Sequence, residues 1–576
     1  MSIAARRMSR GHMPVDEGVV PQVAGASPLG STNYSIPGGA IYLSPSGSDS
    51  NNGTSPSTPK ATIGAAITAV ASGGTIVARA GEYRQSLGQP TKVFILQNYP
   101  GEVVWFNGSN IVTAWTASGS QWWAALPTVF PHPAIPGGND GKDGTSNVRA
   151  EWPDMVHIDG VRQTHTDSTT PAAGQFYVDQ GANRVYIGTN PAGKTVEVTA
   201  RDWFVVSKAA STYRGIGIRR YAANLNQGGM FNIVNAGAGT TIEQCFIEDA
   251  GIQALAPSGP NISIRFTTVR SAGGAGIGGN SSNNLVIENC LVENNNISLW
   301  TPEPIVAGIK ITRAENVIIR HNIIRNNARS NAVWFDQSCL TLKVYANWLD
   351  QNGNYSCEFE LSEDAICAGN WITGSNTRYG IAAFNSGKVR AWNNWIDSCS
   401  SWDGPMTSDS RRNGKDGLSE MNPATTPWRS ENLTWCNNVH AGSPANGNRP
   451  RLYQLYVTGN NRPDGDNVYG DTSMLRIRGN LFVAQSSGVH SRTAGWTDSS
   501  QVRADIGSVA ALEAAHSQCV NNTQTATNNP TDVANLAKSL APTKGDPLPL
   551  EIASLFGLAT NARVIGPPLP KPVVAT

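Results

Sequence analysis

The chain has 576 residues with 43 Lys and Arg against 42 Asp and Glu, and a net charge of +1 excludes a long-range field that would attract nucleic acid or an anionic membrane. Only 15% of the residues are charged, and 59 Gly and 34 Pro accompany them, which is typical of a turn-rich β-protein. No apolar run reaches the roughly 18 residues that a membrane-spanning helix needs.

The N-terminal segment 1–37 begins with the basic stretch SIAARRMSRGHMP and continues as a Pro-, Gly- and Ser-rich segment. It lacks the apolar core of about 7–15 residues that defines a secretory signal. We therefore predict an attachment leader over 1–37, and a protein that does not meet extracellular material by way of such a signal.

Residues 38–105 predict an N-terminal cap and the first strands of a larger body. A strand is expected over 40–44 and a short amphipathic helix near 62–71. The stretch SGSDSNNGTS between them has a single acidic residue, Asp49, and is interpreted as an Asx-rich turn rather than a calcium loop. Residues 106–205 depart from the later repeat, and FYVDQGANRVYIG within them predicts a hairpin, so this segment is expected to be an inserted β-rich lobe.

A repeated pattern of short strands and polar turns fills residues 206–500, with most steps of 22–25 residues. This period predicts a right-handed parallel β-helix, in which each coil closes after one repeat, and the alternative is a β-sandwich. Two longer steps are assigned to loop insertions at 296–307 and 401–430. Residues 501–576 are expected to form a distal cap, with a helix near 504–517 and then an extended terminus. The repeats align on Cys245, Thr267, Cys290, Asn322, Asn347, Asn370, Asn394, Asn438 and Asn480.

Eight cysteines lie beyond residue 240, and none forms a CxxC pair that would indicate a zinc or thioredoxin-like site. Several occupy positions that the repeat assigns to strand interiors, where a free Cys acts as a small apolar filler.

Four successive coils, over 307–312, 331–336, 356–361 and 379–384, place alternate side chains inside and outside the solenoid. Ile309, Ile311, Val333, Phe335, Cys357, Phe359, Ile381 and Ala383 are predicted to point inward. One outward ladder is then Lys310, Trp334, Glu358 and Ala382, and the other is Thr312, Asp336, Glu360 and Phe384.

The outward carboxylates are the candidate catalytic groups. Asp336 and Glu360 are expected on neighbouring strands, about 4.8 Å apart, with Glu358 beside them on an exposed face. Retaining glycosidases use two carboxyl groups about 5–5.5 Å apart, and like charges this close raise the pKa of one of them. The alternative is that these are solvated surface residues.

Aromatic residues near these carboxylates suggest a sugar-binding groove. Trp334 is predicted either to stack on a sugar or to lie buried under a loop, and Trp300 and Trp402 could wall the groove from the insertions. In a second interpretation the site is that of a polysaccharide lyase. Lys310 and Arg313 would then be its base and neutralising group, and the carboxylates would bind Ca²⁺.

The stretches DMVHIDGVRQ, GQFYVDQGANRVYIGTNPAGKTVEV, AGIKI and NAVWFDQS…EFELS resemble carbohydrate-active parallel β-helix proteins, with pectate lyases and the β-xylosidase-type glycoside hydrolases among them. The resemblance covers about 38–500 and implies Asp336 as nucleophile and Glu360 as acid/base. From their places on the same face we also expect Trp334, Glu358, Lys310, Arg313 and Phe384 to bind substrate, with no metal or other cofactor in the hydrolase and Ca²⁺ in the lyase. The sequence departs from the family's pattern at LSEDAI, where a stretch with His and Gly is expected.

The leader resembles that of minor tail proteins of phages that infect actinobacteria, and parallel β-helices also form phage tailspikes, which are commonly homotrimers. This resemblance implies a virion tail component that binds and hydrolyses host cell-wall polysaccharide, together with other tail proteins and without nucleic acid or membrane insertion. The alternatives are a bacterial glycoside hydrolase or lyase and a tail module that binds glycan without catalysis.

Overall fold

The computed structural model describes most of the chain, and its strands build a solenoid of three long parallel sheets. Each coil contributes one strand to each sheet, so residues one coil apart become hydrogen-bonded neighbours. The predicted all-β parallel β-helix is therefore confirmed. The described residues are 20–131, 152–223, 228–300, 305–374, 379–397, 399, 404, 406–408, 428, 430–441, 452–454, 474–483, 494–497, 503–506, 508–525 and 530–576.

The first sheet carries the candidate site, and its last strand pairs antiparallel whereas the others are parallel. Its strands are Val205–Ser207, Phe231–Ile233, Leu255–Pro257, Ile277–Asn280, Ala307–Thr312, Asn331–Asp336, Tyr355–Glu360, Tyr379–Phe384, Met406–Ser408, Leu452–Gln454, Ala494–Thr497 and Arg503–Ile506.

The second and third sheets are parallel throughout the described residues. The second sheet has the strands Ile41–Leu43, Thr75–Ala78, Ile95–Asn98, Thr212–Arg214, Thr241–Glu243, Ser263–Arg265, Val286–Glu288, Glu315–Arg320, Cys339–Tyr345, Ser362–Ala368, Gly387–Trp392, Leu433–Cys436, Met474–Arg478 and Cys519–Val520. The third sheet has the strands Gly81–Tyr83, Val104–Asn107, Gly217–Arg219, Phe246–Glu248, Thr268–Arg270, Leu291–Glu293, Ile323–Arg325, Trp348–Asp350, Trp371–Thr373, Trp395–Asp397, Val439–Ala441, Leu481–Val483 and Thr523–Thr525.

A two-residue corner joins the second sheet to the third in each coil, and it explains the aligned repeat. Its first residue is left-handed, as at Asn393 with φ of 58°, and Asn and Gly adopt this conformation most readily. Its second residue is the aligned one, which points into the solenoid. From Asn322 onward these buried amides form a ladder with side-chain hydrogen bonds of 2.9–3.2 Å, which pairs polar groups that would otherwise be buried without partners. The ladder comprises Asn322, Asn347, Asn370, Asn394, Asn438, Asn480 and Asn522.

The interior of the solenoid is one continuous apolar cluster, which runs from Ile41 to Cys519. All eight cysteines are buried and free, and seven of them, all except Cys436, belong to this cluster. They act as small apolar side chains in this core.

An accessory lobe interrupts the solenoid between Asn107 and Val205 and consists of two small sheets. The predicted hairpin is present as the antiparallel strands Gln175–Asp179 and Arg184–Ile187. Glu197 of the lobe forms ion pairs with Arg84 and Arg220 of the solenoid. The lobe strands are Ser109–Ile111, Thr116–Ser118, Gln121–Ala125, Val156–Ile158, Val161–Arg162, Thr164–His165, Gln175–Asp179, Arg184–Ile187 and Val196–Thr199.

Helices are few, and the four described α-helices are α1 (Ile63–Ala69), α2 (Val509–Ala515), α3 (Pro530–Lys544) and α4 (Leu550–Ala553), with 3₁₀ turns at Asn235–Gly237 and Ser554–Phe556. The helices predicted near 62–71 and 504–517 are α1 and α2. Asp49 accepts hydrogen bonds from the backbone of Ala61 and Thr62 at the start of α1, so SGSDSNNGTS is a turn that braces this helix. No described helix has the length and apolarity to cross a membrane.

The chain beyond α2 corrects one prediction. An extended terminus was expected there, whereas α3 forms and packs Val533, Ala537 and Ala541 against the third sheet. These residues recur every four positions, which is a helical apolar stripe.

The two ends of the described chain meet on the outer wall of the solenoid. Val23–Ala24 pairs in parallel with Val573–Val574. Ala24 is buried against Leu291 and Ile323 of the third sheet. The part of the predicted leader over 20–37 therefore lies along the solenoid, while residues 1–19 lie outside the described residues.

Candidate functional site

The candidate site lies on the outer face of the first sheet. The predicted register is found for the ladder of Lys310, Trp334, Glu358 and Ala382. In the second ladder it breaks between Asp336 and Glu360, because the pairing of their strands ends at Phe335 and Phe359. Trp334 pairs with Lys310 on one side and Glu358 on the other, and Glu358 pairs with Ala382. The residues predicted to point inward are all in the core cluster, and the Phe335 ring stacks on its neighbour in the next coil at 5.7 Å. Asp336 pairs with Thr312, and Glu360 pairs with Phe384.

The predicted exposure of this face is wrong for its central residues, whereas Thr312, Glu360 and Phe384 are half-buried. Trp334, Asp336 and Glu358 are only 4%, 7% and 6% exposed, although they point away from the core. Part of the cover comes from aromatic residues at the strand ends, because Tyr355, Tyr379 and Phe384 pack together over Ala382. The face is therefore a covered layer of polar groups under aromatic rings.

Lys310 and Asp336 form a buried ion pair, with 3.0 Å between Lys310 Nζ and Asp336 Oδ2. Lys310 Nζ also lies 3.1 Å from the centroid of the Trp334 ring. This arrangement corrects two interpretations. An ammonium held by a carboxylate is a poor proton acceptor, so Lys310 is not arranged as a lyase base. The Trp334 face that was expected to stack on a sugar is occupied by Lys310.

Glu358 is the carboxyl group whose protonation is changed most by this layer. Burial raises its pKa well above the ordinary value of 4.5, and the nearby Glu360 raises it further, while Lys310 acts in the opposite direction. Asn331 Nδ2 donates a hydrogen bond to Glu358 Oε2. Glu358 therefore favours its neutral form more than an ordinary glutamate does, and it lies near Asp336, which pairs with Lys310.

Three buried polar atoms around Glu358 have no hydrogen-bond partner among the described residues: Trp334 Nε1, Asp336 Oδ1 and Ser356 Oγ. Trp334 pairs with Glu358 across the sheet, and Ser356 precedes Glu358 by two residues on the same strand. Buried polar groups without partners are rare and often mark a place where a ligand or water is bound.

The remaining predicted site residues lie at the edges of this layer. Arg313 follows the strand that carries Lys310, and its guanidinium donates to Gln337 Oε1 at 3.0 Å. Phe384 packs edge-on against Tyr355, with ring centroids 5.5 Å apart. Trp300 is buried beside Ile252 and does not wall an open groove. Trp402 lies outside the described residues.

Sequence reasoning missed Asn331, Ser356, Tyr355 and Tyr379. Strict alternation along each strand predicts that Asn331 and the two tyrosines point inward. They are the first residues of their strands, however, and the alternation does not hold at these strand ends. The two tyrosines stack with centroids 4.5 Å apart. Their recurrence one coil apart was the signal that could have identified them.

The carboxylates do not fit the calcium site of the lyase interpretation. Asp336 is paired with Lys310, and Glu358 favours its neutral form. In the described part of the chain, no group of three or more His, Cys, Asp or Glu side chains is arranged to hold a metal ion.

Solved structures of other proteins are similar to this chain to different degrees. A solved structure described as "The complex structure of XylC with xylose" is 16% identical, covers 77% of this chain and 83% of its own, and has a TM-score of 0.59. A structure described as "Glycoside hydrolase" is 13% identical, with coverage of 72% and 94% and a TM-score of 0.45. The Dettilon tailspike protein is 12% identical, with coverage of 73% and 69% and a TM-score of 0.34.

No curated protein matches the chain. Residues 229–400 match the family described as "Right handed beta helix region", and this segment contains the strands of the candidate site. Together with three parallel sheets that advance by one strand per coil, the match identifies the chain as a right-handed parallel β-helix protein.

Proposed function

We propose that the chain acts on a polysaccharide at the outer face of the first sheet, as a retaining glycoside hydrolase with Asp336 as nucleophile and Glu360 as acid/base. Phe335 and Phe359 pair in register, and Asp336 and Glu360 are the next residues along these two neighbouring strands. The general spacing of paired strands, about 4.8 Å, is compatible with the roughly 5–5.5 Å between the carboxyl groups of retaining enzymes.

The observation that carries the proposal is the set of unpartnered atoms around Glu358. Trp334 Nε1 and Ser356 Oγ can donate, and Asp336 Oδ1 can accept, so together they suit the hydroxyl groups of a sugar. The half-buried rings of Tyr355 and Phe384 lie beside them and can pack on the apolar face of a sugar ring. Lys310 stabilises the negative charge that Asp336 needs to act as a nucleophile.

Hydrolysis of arabinan, galactan and xylan by purified protein tests this proposal. Asp336→Asn and Glu360→Gln are expected to lower kcat by about 100-fold or more, since each removes one of two cooperating groups. Glu363→Gln is the matched control, because Glu363 is a half-exposed carboxylate on the second sheet that pairs with Lys388. Unchanged turnover in both site variants would refute the assignment.

Glu358 and Glu360 can be distinguished as proton donors by the leaving group. An aryl glycoside with an acidic phenol leaves without protonation, so the variant that lacks the acid keeps its rate on that substrate and loses it on the polysaccharide. We expect this pattern for Glu360→Gln. The same pattern for Glu358→Gln instead would move the acid to the buried carboxyl.

We also propose that the chain is a phage tail component that recognises host cell-wall polysaccharide. This proposal is supported by the basic stretch at 2–14, which resembles the leader of phage minor tail proteins. Light scattering on the full chain should give the mass of a homotrimer, and the protein should sediment with actinobacterial cell walls. Binding to walls without product would favour a non-catalytic tail module, and a monomer that releases sugars without binding walls would favour a bacterial hydrolase.

A further inference from the structure

The side-chain amide of Asn331, on the strand next to that of Glu358, has a fixed direction. Its Oδ1 atom accepts hydrogen bonds from Asn354 Nδ2 at 2.8 Å and from the backbone N–H of Tyr355 at 3.2 Å. A backbone N–H can only donate, so the oxygen of the amide, and not its nitrogen, must face Tyr355. The Nδ2 atom of Asn331 therefore faces Glu358 and donates to its Oε2 atom.

This contact determines which oxygen of Glu358 holds a proton when the carboxyl group is neutral. The carbonyl oxygen of a carboxylic acid is its better acceptor, so the hydrogen bond from Asn331 favours the carbonyl at Oε2 and the proton at Oε1. Within the part of the chain that the structure describes, Asn331 is the one hydrogen-bond partner of the Glu358 side chain. The acceptor for an Oε1–H group is then supplied by a bound molecule or by water.

The surroundings of Glu358 disfavour its charged form. Its side chain is 6% exposed, and a buried carboxylate with one neutral donor is costly. The charged groups that act on it are Glu360 on its own strand and Asp336 and Lys310 on the neighbouring strands. Burial raises the pKa of Glu358 most, the two carboxyl groups raise it further, and Lys310 acts in the opposite direction.

We propose that Glu358 binds the substrate as a neutral hydrogen-bond donor, with Oε1–H directed at a sugar oxygen and Asn331 as the positioning residue that keeps the proton there. The buried atoms without a partner among the described residues are its neighbours Trp334 Nε1, Ser356 Oγ and Asp336 Oδ1. With them the site offers donors and an acceptor, which suits a sugar hydroxyl, because a hydroxyl both accepts and donates. This role of Glu358 rests on the proposed function for the position of the substrate, but it does not depend on turnover.

Isothermal titration calorimetry with arabinose, galactose and xylose tests the proposal, because a monosaccharide has no glycosidic bond to hydrolyse. At least one of them should bind wild type between about pH 5 and about pH 9, with a Kd that rises about 10-fold per pH unit above the pKa of Glu358. Glu358→Gln should abolish this pH dependence, since its amide oxygen accepts from Asn331 and its amide N–H replaces the donor at every pH. The matched substitution Glu363→Gln, at a half-exposed carboxylate on the second sheet, should retain the dependence.

Asn331→Asp tests the positioning role. One oxygen of the new carboxyl group still accepts from Asn354 and Tyr355, but the other is an acceptor in place of the Nδ2 donor. The proton of Glu358 then lies between the two carboxyl groups at Oε2, and Oε1 no longer donates. The Kd should rise about 5- to 10-fold at about pH 5, with circular dichroism to establish that the variant is folded. Asn316→Asp is the matched control on the exposed side of the second sheet and should leave the Kd unchanged.

The outcomes separate this proposal from that of hydrolysis. Absence of saturable binding of all three sugars, a wild-type Kd that is constant over the pH range, or wild-type binding by Asn331→Asp would each overturn the role of Glu358. Hydrolysis that depends on Asp336 and Glu360 would stand in each of these cases. The expected pH dependence in a protein that releases no sugar would instead support the binding role and contradict hydrolysis.

Discussion

Lys310 and Asp336 form a pair of opposite charges inside the candidate layer. Both are less than a tenth exposed, and each partially compensates the lost hydration of the other. A buried pair of this kind contributes little net stability compared with apolar residues, but loss of one partner leaves an uncompensated charge.

Lys310→Met is therefore expected to destabilise the chain by about 3 kcal/mol in urea unfolding. The control is Lys388→Met, which removes a lysine from an exposed pair with Glu363 and should cost less than about 1 kcal/mol. Lys310→Met combined with Asp336→Leu should recover much of the loss. A single variant as stable as wild type would show that the pair is not buried in solution.

The raised pKa of Glu358 predicts that the stability of the folded chain depends on pH. Because its pKa is raised on folding, the neutral group stabilises the folded state fully below about pH 4.5, and this contribution is lost as the pH rises through the folded-state pKa. Glu358→Gln keeps a neutral acceptor for Asn331, so its stability relative to wild type should increase from pH 4.5 to pH 8. Urea midpoints across this range measure the difference, and the same substitution at Glu363 is the control. A difference that does not vary with pH would contradict the burial of Glu358.

At the scale of the element, the asparagine ladder links coils through buried side chains. Asn370 accepts two hydrogen bonds from Asn347, from its backbone and its amide, and in the same way donates two to Asn394. Asn322, at the end of the ladder, accepts one from Cys290.

Substitution of an asparagine in the middle of the ladder should therefore lower the free energy of unfolding more than substitution of the first asparagine. Asn370→Thr is expected to destabilise the chain by about 2–4 kcal/mol, since more than one buried group loses its partner. Asn322→Thr should cost less, because its neighbour Cys290 is already without an amide. Thermal or urea unfolding of the two variants checks the order, and equal losses would show that the rungs are independent.

The contact between the lobe and the solenoid is expected to depend on pH. His157 Nε2 of the lobe lies 3.4 Å from Asp249 Oδ2 of the solenoid. Burial lowers the pKa of His157 to about 4. Burial acts to raise the pKa of Asp249, but His157 and the charges of Arg162 and Arg220 outweigh it and lower the pKa to about 2.

Both folded-state pKa values are lowered, so the folded chain binds fewer protons here than the unfolded chain and becomes less stable as the pH falls. The contribution of His157 is lost as the pH falls from about 6.5 through about 4, and that of Asp249 at still lower pH. Hydrogen exchange should show Val156–Ile158 losing protection near pH 4 before Asn331–Asp336 does. His157→Gln should remove the step, and simultaneous loss in both strands would contradict the prediction.

The sequence could predict which side of the sheet a side chain faces, but not whether other side chains cover it. Phe335 and Glu358 were assigned to the correct sides because alternation is local to one strand, whereas the burial of Glu358 depends on side chains at the beginnings and ends of neighbouring strands. The helix α3 was missed because its small alanines give a weak apolar stripe. The pairing of Val23–Ala24 with Val573–Val574 carried no signal, since two-residue strands have no period.

At the scale of the whole molecule, the coils form one continuous core, and the described ends of the chain pair with each other on its wall. Val573 and Ala575 donate backbone hydrogen bonds to Gln22 and Ala24, at 2.8 Å and 2.9 Å. The two strands are parallel, so tension applied through residues 20 and 576 draws them past each other lengthwise and loads these bonds together in shear. Under mechanical stretching, this short strand pair would bear the force first, and the coils would bear it only after the pair separates.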